Sequence, residues 1–367
     1  MKGLRTFKLG ILDLYIIKKF LGTFFLIMLL IVVITVVFDI SEKIDDFLEK
    51  KAPFSAIIFD YYLNFIPYFV SLFSSLFIFV SVIFFTSKMA YQSEIIAILS
   101  SGISFWRFLY PYFIGACILA LFSFVINDSI MPSANTKRLA FEDKYVKKPV
   151  VYHQQNVHKQ VEPGLFVYLE SFSNSSETAY RFSMERYKGD RMVSKLMSES
   201  ALWNKEKEKW TIREYYVRDI DSLGRETLTV GASMDTTINL NPSEFKRRDN
   251  FVETMSIAQL KDFIDELKMQ GADNIKLFVI ELNKRVAFPF STFILTLIGV
   301  SLSTRKVRGG IGIHVAIGVA ISFTYILFMQ FSSEFATKGN LHPVLAAWVP
   351  NIIFGIVGAF LYRLAPK

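Results

Sequence analysis

Met234-Asp235-Thr236-Thr237-Ile238-Asn239-Leu240-Asn241 alternates apolar and polar side chains with period two, the pattern of a half-buried strand. The run lies inside a polar stretch, residues 127–285, which has three long apolar blocks on either side. Earlier in the stretch come β-prone runs at 164–172, 179–187, 191–203, 210–219 and 226–231. Tyr187-Lys188-Gly189-Asp190 and Asp221-Ser222-Leu223-Gly224 read as turns between them. Strands in series without helices predict a sandwich or jelly roll, and roughly 100 residues suffice to bury a core.

A helical hairpin follows. Ser256 with Gln259 forms a capping box, Leu260, Phe263, Ile264 and Leu267 form an apolar stripe, and Gly271 is a plausible stop. Residues 273–285 then read as a helix running into the fourth apolar block. The expected organisation is therefore a membrane α+β protein with six transmembrane helices in a 3+3 arrangement. Residues 1–126 hold helices one to three, with a short helix near 88–105. Residues 127–250 form the β-jellyroll-like domain, 251–285 the hairpin, and 286–367 helices four to six.

The six blocks (20–38, 61–86, 108–126, 286–304, 309–333 and 341–362) contain no Asp, Glu, Lys or Arg. Each is about the length a helix needs to cross hydrocarbon. A charge at mid-membrane costs about 2.5–3.5 kcal/mol even on the lenient insertion scale. A proton- or ion-coupled transporter needs such groups, so their absence argues against one. The first block follows Lys2, Arg5, Lys8, Lys18 and Lys19 but is too long for a signal peptide and lacks a cleavage site, so it reads as a retained span.

The net charge of +8 is first a topology signal. Arg305, Lys306 and Arg308 follow block four without an acid. Lys88 and Arg107 flank the loop between blocks two and three, and Arg363 and Lys367 end the chain. The opposite side carries Asp39, Glu42, Asp45, Asp46, Glu49 and Asp60 against Lys43, Lys50 and Lys51. This predicts cytoplasmic termini and an outward-facing insert.

In block five Gly312, Ala316 and Ala320 recur every fourth residue, and Gly318 and Ser322 repeat the spacing on an adjoining face. Small residues at this spacing let helices approach closely, either within the chain or against a second subunit. His314 reads as an interfacial or packed histidine and Cys117 as a small packing residue. No metal site or cofactor is predicted.

The chain has no P-loop, no H-E-x-x-H and no G-x-S-x-G, so it reads as a non-enzymatic membrane component whose energy comes from a partner. Its basic residues sit at loop ends rather than among aromatics, which disfavours nucleic acid. Between blocks two and three Glu94 is the loop's one acid, followed by an apolar run too short to span. That fits an amphipathic helix offering one carboxylate to another protein, and equally a solvated surface Glu.

In order along the chain, Leu12-Asp13-Leu14-Tyr15-Ile16, Gln92-Ser93-Glu94-Ile95, Ser101-Gly102, Met131-Pro132, Met255-Ser256, Glu281-Leu282-Asn283-Lys284-Arg285, Pro289 and Leu297-Ile298-Gly299-Val300 resemble the lipopolysaccharide-export permeases of the LptF/LptG (YjgP/YjgQ) type. The Leu-Asp-x-Tyr start tilts the resemblance toward the LptG-like branch. The resemblance implies a periplasmic β-jellyroll on six inner-membrane spans, pairing with a second LptF/LptG-type permease, a cytoplasmic ABC ATPase dimer, and delivery of lipopolysaccharide to an LptC/LptA-type bridge. It implies that Gln92, Ser93, Glu94, Ser101 and Gly102 couple to the ATPase, with Glu94 seated in its groove.

Family members carry basic residues near the outer end of span one. Here residues 39–46 are mainly acidic, which leaves Lys43, Lys50, Lys51, Lys137 and Arg138 as candidate lipid-phosphate contacts or ordinary interface residues. The competing class is a membrane sensor with an outward ligand-binding β-domain. It would want a cytoplasmic output domain, for which the loops are short.

Overall fold

The structure, a computed structural model, describes residues 9–146, 155–173, 176–242, 251–269, 275–305, 310–339 and 341–365. Lys2, Arg5, Lys8, Gly271, Lys306, Arg308 and Lys367 of the sequence reading lie outside them. Six helical stretches among the described residues are long and apolar enough to cross a membrane. The contacts divide the chain into two units. One comprises Met1–Val146, Glu253–Leu260 and Lys276–Lys367, the other Lys147–Val252 and Lys261–Ile275.

In the helical unit, α1 (Ile11–Glu49) runs well past the uncharged block at both ends. α2 (Phe54–Ala56) passes through a π-helical turn, Ile57–Tyr62, into α3 (Leu63–Tyr91), where Pro67 sits within the first two turns. α4 (Glu94–Ser100) is a short helix, and α5 (Phe105–Val125) starts on the Ser104 cap. A second π turn, Ile126–Ile130, leads α5 into α6 (Met131–Tyr145). After the insert come α7 (Ile257–Met269), α8 (Ile275–Ser303), α9 (Gly310–Lys338) and α10 (Pro343–Leu364).

The helix therefore continues where the sequence reading opened the β domain. Residues 127–146 group with the helices, because their polar side chains are spent on the helix itself and its neighbours. Asn127 donates to the Ser123 carbonyl at 2.8 Å and accepts from the Ser71 hydroxyl at 2.5 Å. The single π turn, a rare local widening of the helix, carries α5 into α6 without a break.

α3 is the central helix, packed against α1 and α9, and α10 packs on α9. The apolar core gathers Phe20, Phe77, Val82, Phe108 and Tyr112. Small residues set the approach. A Cβ on Gly115 would lie 2.5 Å from the Phe20 ring, and one on Gly299 would lie 2.8 Å from Val82 Cγ1. Long apolar stripes of α1 (Leu29, Val33, Val37) and α9 (Phe323, Leu327, Phe331) stay uncovered.

The insert is one antiparallel sheet in plain meander order. It comprises β1 (Gln155–Glu162), β2 (Leu165–Ser173), β3 (Thr178–Lys188), β4 (Arg191–Asn204), β5 (Lys209–Ile220) and β6 (Glu226–Thr236). The expected membrane α+β class with an inserted β domain is what the structure has, although the strand order is a meander rather than the Greek key of a jelly roll. Both predicted turns are present. The alternating run from Met234 to Asn241 is a strand only to Thr236; Ile238 and Leu240 then fold over the core as irregular chain, both buried. Buried Trp210 donates its indole N–H to the Leu240 carbonyl at 2.9 Å, which satisfies that turn.

A crease crosses all six strands. One row of pairs is missing from every ladder (Asn156, Glu170, Arg181, Glu199, Glu214 and Ala232), and the β2–β3 ladder also lacks the adjoining Leu169–Phe182 pair. In the odd strands the residue in that row is left-handed, with φ of 56° at Asn156, 48° at Arg181 and 47° at Glu214. A left-handed residue in mid-strand bends the strand and breaks its alternation. The buried face accordingly steps by three residues instead of two, from Leu169 to Phe172 and from Ala179 to Phe182. Ser198 closes the crease, its hydroxyl lying 2.6 Å from the Arg213 carbonyl and 3.1 Å from the Ser200 amide.

Candidate functional site

Two polar centres stand out in the helical unit, one at each end of α1. At the first, α3 ends in Tyr91, and Ser93 takes a left-handed conformation (φ 62°) before α4 begins at Glu94. That conformation costs of order 1 kcal/mol in a non-glycine residue and marks a constrained turn. Gly102 (φ 85°) closes the far end of the segment. Ile95 is buried in the core, while Tyr91 and Ile96 are exposed. Gln92 and Ser93 before α4, and Ser101 and Gly102 after it, are all exposed as well. Glu94 itself is half-buried and accepts a hydrogen bond from the Tyr15 hydroxyl at 3.1 Å.

Beside it lies an ion pair that the sequence reading did not find. Asp13, fully buried, accepts from Arg107 Nη1 at 2.5 Å and Nη2 at 2.6 Å. It also accepts from the Gly10 amide at 2.8 Å, capping α1. Asp13 and Arg107 are 94 positions apart, and no local pattern in the sequence joins them.

At the other end of α1, Lys43 donates to Asp39 at 2.5 Å and to the Tyr61 hydroxyl, and Tyr62 donates to Asp39 at 3.1 Å. Arg138 is buried. It bonds Glu142 at 2.9 Å and Asn135 at 3.2 Å, pairs with Glu253 at 3.5 Å, and lies 3.9 Å from the Tyr68 ring centroid. Lys43 and Arg138 thus have their charges met inside the chain in this conformation. Lys51 and Lys137 are exposed and Lys50 is half-buried. Two of the five cationic candidates, Lys43 and Arg138, are thus held in pairs within the chain, while Lys51 and Lys137 face outward.

The same centre holds the return segment from the insert. Asn135 donates to the Glu253 carbonyl at 3.2 Å, Asp128 accepts the Ile257 amide at 2.8 Å, and Arg285 donates to the Met255 carbonyl at 2.5 Å. The predicted capping box forms, with Gln259 accepting from the Ser256 amide at 2.9 Å. Burial pushes the Glu253 carboxyl above the usual carboxylate range, with Arg138 acting in the opposite sense.

The small residues of α9 divide between two faces. Gly318 and Ser322 are buried, and a Cβ on Gly318 would lie 2.4 Å from Ile83 Cδ1 of α3. Gly312, Ala316 and Ala320 are exposed. Gly318, grouped in the sequence reading with a subunit interface, therefore packs within this chain. His314 is buried, with Nε2 3.2 Å from the Arg305 carbonyl.

Among the described residues no cluster of His, Cys, Asp and Glu could hold a metal. A search of curated proteins finds no match. Residues 14–364, which span every helix and strand above except the first three residues of α1, match the family described as lipopolysaccharide export system permease LptF/LptG, without separating its two branches. With six spans and an inserted β sheet in the order that match covers, the chain belongs to the LptF/LptG family of lipopolysaccharide export permeases.

Proposed function

We propose that this permease works as the membrane half of an ABC-type exporter. In this reading a separate cytoplasmic ATPase dimer acts on α4, and lipopolysaccharide taken from the inner membrane passes to the β domain and on to a periplasmic bridge of the same β type. The observation that carries the reading is α4 itself. It is a seven-residue helix set between two spans, opened by a strained residue, with one carboxylate at its start and apolar Tyr91 and Ile96 exposed beside it. Such a helix is too short to persist alone and has surface suited to a protein groove. Gln92, Ser93, Ser101 and Gly102 complete the contact.

The charge distribution supports cytoplasmic termini and a periplasmic insert. The uncovered stripes of α1 and the Gly312-Ala316-Ala320 face of α9 suit a second, similar permease across a lipid-accepting space. Lys51 and Lys137, both exposed, are the leading candidates to meet lipid phosphate, with Lys50 beside them in sequence and Lys43 and Arg138 as contacts only if their internal pairs open.

The test is Glu94→Lys in the assembled exporter. The expected result is a membrane-inserted protein that loses ATP-driven lipopolysaccharide release. Undiminished release, with the normal amount of ATPase recovered, would remove the coupling role.

A further inference from the structure

We propose that the first turn of α1 ties the coupling carboxylate to the membrane helices, with Tyr15 as the positioning residue for Glu94 and the Asp13–Arg107 pair as its anchor. The inference rests on the coupling reading above and assigns the element that receives the load.

Asp13 has no exposed side-chain surface, and a buried carboxylate is costly unless it is paired and hydrogen-bonded. Here both oxygens are met by one guanidinium, and the Gly10 amide adds a third bond. A bidentate arginine pair fixes orientation as well as distance. Arg107 is itself seated at the start of α5, where its amide bonds the Ser104 hydroxyl at 3.3 Å. The first turn of α1 is thus locked to the first turn of α5.

Two residues after Asp13, the Tyr15 hydroxyl reaches Glu94. The apolar anchors of α4 in the core, buried Ile95 with half-buried Ile98 and Leu99, set its depth but make no bond to the carboxylate. A tyrosine has two side-chain torsions and loses little freedom when it fixes a partner. Tyr15 therefore holds the carboxylate while the Asp13 pair holds Tyr15's turn. α1 is also a span whose apolar surface is largely uncovered by its own chain. This turn gives a displacement of α4 a polar route to that span, beside the apolar contacts that Ile95 makes in the shared core.

The test uses the complete exporter in vesicles containing lipopolysaccharide, and reads lipid released per ATP hydrolysed. Tyr15→Phe keeps the ring and removes one bond to a charged acceptor. We expect ATPase recovery and thermal midpoint to stay at the wild-type level while lipid released per ATP falls about tenfold. Tyr15→Phe with Glu94→Ala should be no worse than Glu94→Ala alone, because both remove the same bond. Asp13→Asn should lower the same ratio, and the exchanged pair Asp13→Arg with Arg107→Asp should restore part of it. A wild-type ratio in Tyr15→Phe, or losses that multiply in the double variant, would overturn the assignment. The coupling reading fails separately, through normal export by Glu94→Lys.

Discussion

Gly318 on α9 stands so close to Ile83 on α3 that a Cβ would fall 2.4 Å from its Cδ1, while Ala316, two residues earlier, is exposed. The first contact belongs to the fold of this chain and the second face is open to another. Gly318→Ile should therefore destabilise the isolated protein in detergent, by about 1–3 kcal/mol if the core strains as overpacked cores do. Ala316→Ile should leave that stability unchanged and lower recovery of the second permease. Thermal midpoints and co-purification read the two effects separately, and equal midpoints for both variants would contradict the division of faces.

Trp210 fills the core of the insert and bonds the Leu240 carbonyl through its indole N–H. Trp210→Phe keeps most of the apolar volume but leaves a buried carbonyl unpaired, at a cost of about 1–3 kcal/mol. Trp210→Ala adds a cavity and should cost about 3–5 kcal/mol. Protease susceptibility of the insert in the full chain should rise in that order. A Phe variant as resistant as wild type would show that the bond contributes nothing.

The number and order of the spans and the existence of the sheet could be read from composition and periodicity, but the full extent of the helices and the crease could not. A strand that alternates with period two, then steps by three and resumes, looks like two short runs of uncertain face. In this sequence the residues at the step are Asn156, Arg181 and Glu214 rather than glycines. The α5–α6 continuation was hidden for a related reason: Asn127 and Asp128 look like the start of a soluble segment until Ser71, Ser123 and the Ile257 amide are seen to receive them. The start of α4 was visible because Glu94 is the loop's one acid. Its partner Tyr15 was not, since only tertiary structure joins residues 79 positions apart.

Glu253 supplies a pH signature. Its folded-state carboxyl lies above the ordinary 4.5 because burial disfavours the charge. A raised folded value means a contribution to stability that is full below the unfolded value and is lost as pH rises through the folded one. Relative to Glu253→Gln, which cannot titrate, wild type should lose stability as pH climbs from about 4.5 upward. The difference in thermal midpoint between the two proteins, measured from pH 4 to pH 8, should widen in favour of the glutamine variant. A flat difference would place the carboxyl in an ordinary environment.

Arg138 and Lys137 are neighbours with opposite surroundings. Arg138→Gln strands Glu142 and Glu253 and should destabilise the protein by about 3–5 kcal/mol, as breaking one side of a buried pair does. Lys137→Gln and Lys51→Gln should leave the thermal midpoint in place and, if these residues meet phosphate, weaken cross-linking to lipopolysaccharide. Loss of stability in the lysine variants, or none in Arg138→Gln, would reverse the assignment of roles.

The crease also bears on how the insert reaches its fold. In a flat meander, neighbouring strands can slip along one another and still find hydrogen bonds. Here a slipped strand would set its left-handed residue against an extended row, and its three-residue step would turn apolar side chains toward water on one side of the line. The crease therefore acts as an alignment mark shared by all six strands.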